Sequence, residues 1–287
     1  MSRSNLVFKY LIVALLLLGC FFRITQLDQK IYWGDETSTS VRIAGYTFEA
    51  IRQDFSGPYQ IAAADLQQYQ QLTPAKTAQD VVQGLAAEEP QLPPVYFLAL
   101  RAWTQIFGSS VSATRGFSAF ISLLTMPALY WLCRELFPGA GPAWLAVGLL
   151  AVSPFHVLYA QEARPQSLWT LTLLLSSAAL LRARRQGTLA SWSLYAGMLA
   201  LSLYTYLFSA LVAIAHGLYS LLSERFRWTA ALRAYLFASL AGLLLFSPWM
   251  ISAYESFATL DAGTGWTKLS VPLSALVRTW LLNLSRL

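Results

Sequence analysis

Seven apolar runs, each at or near the length needed to cross a bilayer, recur along this chain and leave almost no soluble fold open. They cover 8–27, 113–133, 143–160, 167–181, 189–206, 209–222 and 230–250. A spanning helix needs about 20 mostly apolar residues, so the fourth and sixth are expected to extend into their flanks. Soluble domains carry about 25% charged residues. Here the charged fraction is 12%, the hydrophobic fraction 56% and the mean hydropathy +0.48. Lipid accepts the apolar outer faces of helices that water would reject. The expected fold class is all-α: a polytopic membrane protein with about seven transmembrane helices plus juxtamembrane helices, in one domain.

An eighth apolar run, 93–107, is decided by charge. As a helix it would reach only about 22 Å at 1.5 Å per residue, against a hydrocarbon core about 30 Å thick. With Arg3 and Lys9 placing the N-terminus in the cytoplasm, a non-spanning 93–107 puts Arg134, Arg182–Arg185 and Arg225–Arg227 all inside. A spanning 93–107 would move every one of them outside, against the positive-inside rule. The run is therefore expected to be an interfacial helix, with Arg101 and the aromatic residues near the headgroups. The net charge of +6 reads as this inner-face bias, not as a nucleic-acid footprint. Tyr10 to Phe22 follows two cations as a signal peptide would, but no small-x-small cleavage site follows it. Leu17-Leu18-Gly19-Cys20 only weakly resembles a lipoprotein box, so an uncleaved signal anchor is expected.

The least membrane-like stretch is 28–107, expected on the outer side. Within it, 37–51 reads as an amphipathic helix with Val41, Ala44, Tyr46, Phe48 and Ile51 on its less polar side. The polar stretch 54–90, punctuated by Thr73-Pro74 and Glu89-Pro90, should hold one or two short helices. No internal repeat is visible.

Two constellations can carry chemistry. Trp33-Gly34-Asp35-Glu36 lies just beyond the first run and sets adjacent carboxylates at a membrane surface. It reads as a general base, or as an N-cap by Asp35 on a helix starting at Glu36. Gln161-Glu162-Ala163-Arg164-Pro165 joins two spanning runs, preceded by Ser153-Pro154-Phe155-His156 and Tyr159. Charges at such a junction mark a site, and Arg164 suits a phosphate; an ion pair fixing the turn is the other reading. Pro93-Pro94-Val95-Tyr96 opens the interfacial helix. His156 and His216 are too far apart for a metal pair. Cys20 and Cys133 make no disulfide framework or zinc spacing. There is no Gly-rich phosphate loop, HExxH or GxSxG. No metal site or cofactor is therefore expected, though the need for a metal stays open.

Taken in order, Asp35-Glu36 after a signal anchor, Pro-Pro-x-Tyr at 93–96, and Ser153-Pro…Tyr159-Ala-Gln-Glu-Ala-Arg164 resemble the lipid-dependent GT-C glycosyltransferases. The nearest branch is the bacterial protein O-mannosyltransferase-like group, which includes the 4-amino-arabinose lipid A transferases. The resemblance implies a GT-C type core that passes a sugar from a polyprenyl-phosphate carrier to a lipid, glycan or protein acceptor, with inversion at the sugar. It implies Asp35 as catalytic carboxylate with Glu36 beside it, and Glu162 as the acidic residue of the second outer loop. Arg164 would meet the donor phosphate, and His156 and Tyr96 would join the donor site. It also implies a bacterial inner membrane, with the active site facing outside. The chain departs from the pattern at Leu92, where many relatives have His, and at Gln166, where an aromatic is common. Full-length relatives continue beyond the position matching Leu287, so their C-terminal part is expected to be missing. The other classes weighed are a lipid or sugar transporter, which needs polar groups through the bilayer midplane, and a non-catalytic assembly subunit or fragment.

Overall fold

The computed structural model describes residues 3–57, 61–256 and 270–284. Among these the protein is entirely helical. The helices are α1 (Arg3–Ile24), α2 (Gly34–Ala44), α3 (Phe48–Asp54), α4 (Ala63–Gln67), α5 (Ala78–Glu88), α6 (Val95–Phe107) and α7 (Val111–Leu136). They continue as α8 (Ala140–Val152), α9 (Pro154–Ala160), α10 (Gln166–Gln186), α11 (Leu189–Thr205), α12 (Ser209–Ser223), α13 (Ala230–Glu255) and α14 (Leu273–Leu284).

All seven apolar runs fall on helices, in a bundle built around α7, α10, α11 and α13 with α1 and α8 on one flank. By length and composition α1, α7 and α13 each suffice to cross a membrane, and the bent pair α8–α9 makes a fourth. The run 167–181 extends to 21 residues as α10, as expected. By contrast 209–222 stays short as α12, with 15 residues.

The bend between α8 and α9, 59°, has a local cause. Pro154 has no N–H to donate to the carbonyl of Leu150 and its ring crowds that carbonyl, which favours a break in the helix here. That carbonyl instead accepts from the N–H of Ser153 at 3.3 Å, closing the last turn of α8, and in lipid the freed helix end still favours further donors. Arg23, fully buried near the end of α1, adds them: Nη2 donates to Leu150 O at 3.1 Å, Nη1 donates to Ala151 O, and Nε donates to Ser122 Oγ at 2.9 Å. Gly19 allows the approach, since a Cβ there would stand 2.4 Å from the Ala151 carbonyl oxygen. Gly148 meets Ile12 and Leu15 in the same way. Small residues at such crossings are the usual means of helix association in membranes.

The two ends of the bundle differ. At one end Arg185 pairs with Glu135 at 2.9 Å and Arg184 with Glu224 at 2.8 Å, which brings together the C-terminal ends of α7, α10 and α12, where the basic clusters lie. Arg115 sits near the other end of α7. The twenty residues of helix from Arg115 to Glu135 cover about 30 Å, roughly the thickness of the hydrocarbon core.

Helices α2 to α6 pack over the Arg115 end and correct three expectations. The amphipathic 37–51 is two helices, because Gly45 takes the left-handed region at φ 89° and ends α2. Asp35 is not the N-cap: α2 begins two residues earlier than expected, at Gly34, Trp33 is its cap, and Asp35 and Glu36 occupy the first turn. Arg101 does not reach for headgroups. It is buried, and its Nη1 and Nη2 donate to the carbonyls of Ile43 and Lys76, each at 2.5 Å. Carbonyls at the end of α2 and before α5 need donors, and Arg101 meets them from α6. Helix α6 is only 13 residues long, too short to span. Arg42 ties α2 to the end of α5 through Glu88 and Glu89, both at 2.6 Å.

Candidate functional site

The start of α2 carries two carboxylates with opposite environments. Glu36 is fully buried, whereas the Asp35 side chain is 48% exposed. Both lie in a helical first turn, where free backbone N–H groups favour negative charge.

Glu36 is closed in by its partners. Its Oε1 accepts from Arg115 Nε at 2.8 Å and from the backbone N–H of Ala163 at 2.8 Å; its Oε2 accepts from Arg115 Nη2 at 2.7 Å. Arg115 Nη1 donates to the carbonyls of Leu27 and Lys30, and Nη2 also to that of Ile31. A guanidinium has five N–H donors, and here each has an acceptor. Two charges out of water are costly unless hydrogen bonding is complete, and this pair meets that condition. The pair thereby joins the turn after α1, the start of α2, the top of α7 and the loop after α9.

That loop distributes its residues in turn. Gln161 Nε2 donates to Phe22 O and Thr25 O, closing the end of α1. Ala163, fully buried, gives its N–H to Glu36. Arg164 forms an ion pair with Asp35, with 19% of its side chain exposed, and its guanidinium lies over the Trp33 ring. Its Nε is buried without a hydrogen-bond partner. Its carbonyl accepts from Ser118 Oγ at 3.4 Å, and Ser118 is bonded in turn to the hydroxyl of Tyr96 at 3.0 Å. Tyr96 is fully buried, so it supports the Arg164 backbone from below.

Glu162 is the remaining charge. Among the described residues its side chain has no hydrogen bond or ion pair. Burial, and then the negative charge of Glu36, push its carboxyl above the usual range, with Arg164, Lys30 and Arg115 pulling the other way.

The structure therefore brings Asp35, Glu36, Glu162, Arg164 and Tyr96 into one assembly. His156 stands on α9, on the wall of an adjoining cavity of ≈ 360 Å³ with Tyr159, Gln166 and Trp169. Two buried arginines escaped the sequence reading: Arg115, within the assembly, and Arg23, which is bonded to Ser122 on the cavity wall. Each lies inside an apolar run, and a charge in a spanning helix is the signal that points to such residues. Among the described residues no three His, Cys, Asp or Glu side chains gather as a metal group.

The geometry suits group transfer at a membrane surface: an accessible carboxylate and a guanidinium from separate loops, held by a buried clamp. No individually curated protein matches the chain significantly. A family model, dolichyl-phosphate-mannose-protein mannosyltransferase, matches residues 91–251, which includes Tyr96, Arg115, His156, Glu162 and Arg164 and begins after Asp35. With more than half its length in that match and an all-helical membrane architecture around it, the chain belongs to the dolichyl-phosphate-mannose-protein mannosyltransferase family, a family of GT-C type membrane glycosyltransferases.

Proposed function

We propose that this chain transfers a sugar from a polyprenyl-phosphate donor to an acceptor hydroxyl or amine on the outer face of a bacterial inner membrane, with Asp35 as base. The observation that carries the reading is the Asp35–Arg164 pair at the end of the bundle opposite the basic clusters. Asp35 takes the acceptor proton as the acceptor atom bonds to the anomeric carbon. The bond from that carbon to the phosphate oxygen breaks, and the polyprenyl phosphate leaves with one more negative charge. Arg164 meets that charge, which is where a fixed cation lowers the barrier.

The other residues divide by exposure. Glu36 has no open face, so it positions the Asp35 turn. Tyr96 positions Arg164 through Ser118. Glu162, without a partner, is placed to orient the acceptor or the sugar. His156 belongs to the donor side through the cavity. The positive-inside rule places the N-terminus in the cytoplasm and the site outside.

Membranes containing the protein, given a panel of radiolabelled polyprenyl-phosphate sugars, test this directly. Transfer is expected from at least one donor and is expected to vanish in Asp35→Asn while membrane insertion is unchanged. Turnover in Asp35→Asn equal to the wild type would refute the base. Arg164→Ala is expected to weaken donor binding more than Arg164→Lys, since lysine keeps the charge but not the bidentate fork.

A further inference from the structure

Resting on that reading, we propose that the cavity beside Arg164 is the subsite for the transferred sugar ring, and that the carrier chain lies elsewhere. The cavity, ≈ 360 Å³, is walled by Phe155, Tyr159, Trp169, Tyr206 and Phe208 on its aromatic side. That is within the range of small-molecule pockets.

The polar groups decide the occupant. His156, Tyr159, Tyr206 and Gln166, each with a polar side-chain group, all line the cavity. Gln166 Oε1 is buried with no hydrogen-bond partner. None of the other three has a side-chain hydrogen bond among the described residues. Four unmatched polar groups at the level of the outer helix ends are costly against hydrocarbon, because nothing in lipid can bond to them. A prenyl chain would leave all four unmatched. A sugar ring has hydroxyls around its rim to satisfy them and C–H faces to lie against aromatic rings. Trp169 is already fixed for that, its Nε1 donating to Ser209 Oγ at 3.0 Å and its ring 4.9 Å from that of Tyr206.

One face of α7 leads from the charged site to the cavity. On α7, Arg115, Ser118, Ser122 and Thr125 follow at helical spacing, on one face. The first holds Glu36, the second the Arg164 carbonyl, and the last two line the cavity. A ring seated there is one short step from a phosphate at Arg164.

The test compares two ligands on the purified full chain in nanodiscs: polyprenyl phosphate, and the polyprenyl-phosphate sugar that supports transfer. Gln166→Leu and the milder Tyr206→Phe are each expected to weaken the sugar-bearing ligand about tenfold, the size of one lost buried hydrogen bond. The sugar-free carrier should bind as before, within about twofold. Equal weakening of both ligands, or tighter binding of the bare carrier by Gln166→Leu, would overturn the subsite and assign the cavity to the chain. A wild type that binds neither ligand would instead overturn the donor reading itself, before any variant is compared.

Discussion

Arg115 shows how one side chain fixes the distance between two loops that share no sequence. Its five donors are all matched, so Arg115→Lys keeps the charge and loses the geometry. We expect Arg115→Lys to cut turnover strongly, and Arg115→Ala to cost about 3–5 kcal/mol by leaving Glu36 buried and unpaired; detergent melting with transfer assays checks both. If Arg115→Lys turns over normally, the clamp does not position the site. Glu162 gives a pH prediction. Its raised carboxyl means that the folded chain keeps a proton the unfolded chain has lost, between the ordinary carboxylate range and the raised value. In that window stability falls as pH rises. Glu162→Gln should therefore raise the melting temperature at neutral pH, leave it nearly unchanged at pH 4, and lower transfer. A larger gain at pH 4 than at pH 7 would contradict the assignment. Asp35, Glu162 and Arg164 were legible in the sequence because charges are rare in such a chain. The exchange of partners was not: Asp35 goes to Arg164, Glu36 to Arg115, and only the fold brings position 36 next to position 115.

Among the elements, the join of α1 to α8 and α9 rests on a missing hydrogen bond and a missing side chain. Pro154 breaks the ladder, Arg23 adds donors to the carbonyls of Leu150 and Ala151 beside the Ser153 N–H, and Gly19 makes room. Ser153-Pro154 was visible in the sequence as part of a motif, yet the run 143–160 read as one straight span. Hydropathy reports apolarity and says nothing of which carbonyls lose their donors. The split of 37–51 at Gly45 was missed for a related reason, since a glycine within an amphipathic pattern is silent about φ until its neighbours are known. Gly19→Ala should be destabilising by about 1–3 kcal/mol or more, because the obstructing atoms are backbone and cannot swing aside. Gly197→Ala is the matched control: nothing lies within 4 Å of its added methyl, and alanine is the better helix former. Thermal melting in one detergent compares them. Equal melting temperatures for the two variants would mean that α1 and α8 do not pack this closely.

At the scale of the whole molecule, length sets where a bilayer would sit, and charge predicts which side would face the cytoplasm. Opposite ends of α7 hold Arg115 with its acidic partner and Glu135 with the basic clusters, about 30 Å apart. A bilayer fitted to that length leaves Asp35 and Arg164 at one surface and Arg182–Arg185 at the other. Helices α11 and α12, with 17 and 15 residues, reach about 26 and 22 Å. They cross only if the membrane thins or their flanking loops enter it, so the seven-span count is a prediction to be measured. Gly108 follows α6 and Gly187 follows α10, each a surface glycine with no atom within 4 Å of an added methyl, which makes both suitable fusion points. Reporters active only outside the cell should be active when fused after Gly108 and silent after Gly187, and cytoplasmic reporters should show the reverse. The same signal at both positions would require an even number of crossings between them, which breaks the run α7, α8–α9, α10. Reversed signals at both would turn the molecule over and place Asp35 in the cytoplasm. A carrier-linked sugar could then be used only on the side where nucleotide sugars are also available, and the case for a lipid-phosphate donor would lose its physical basis.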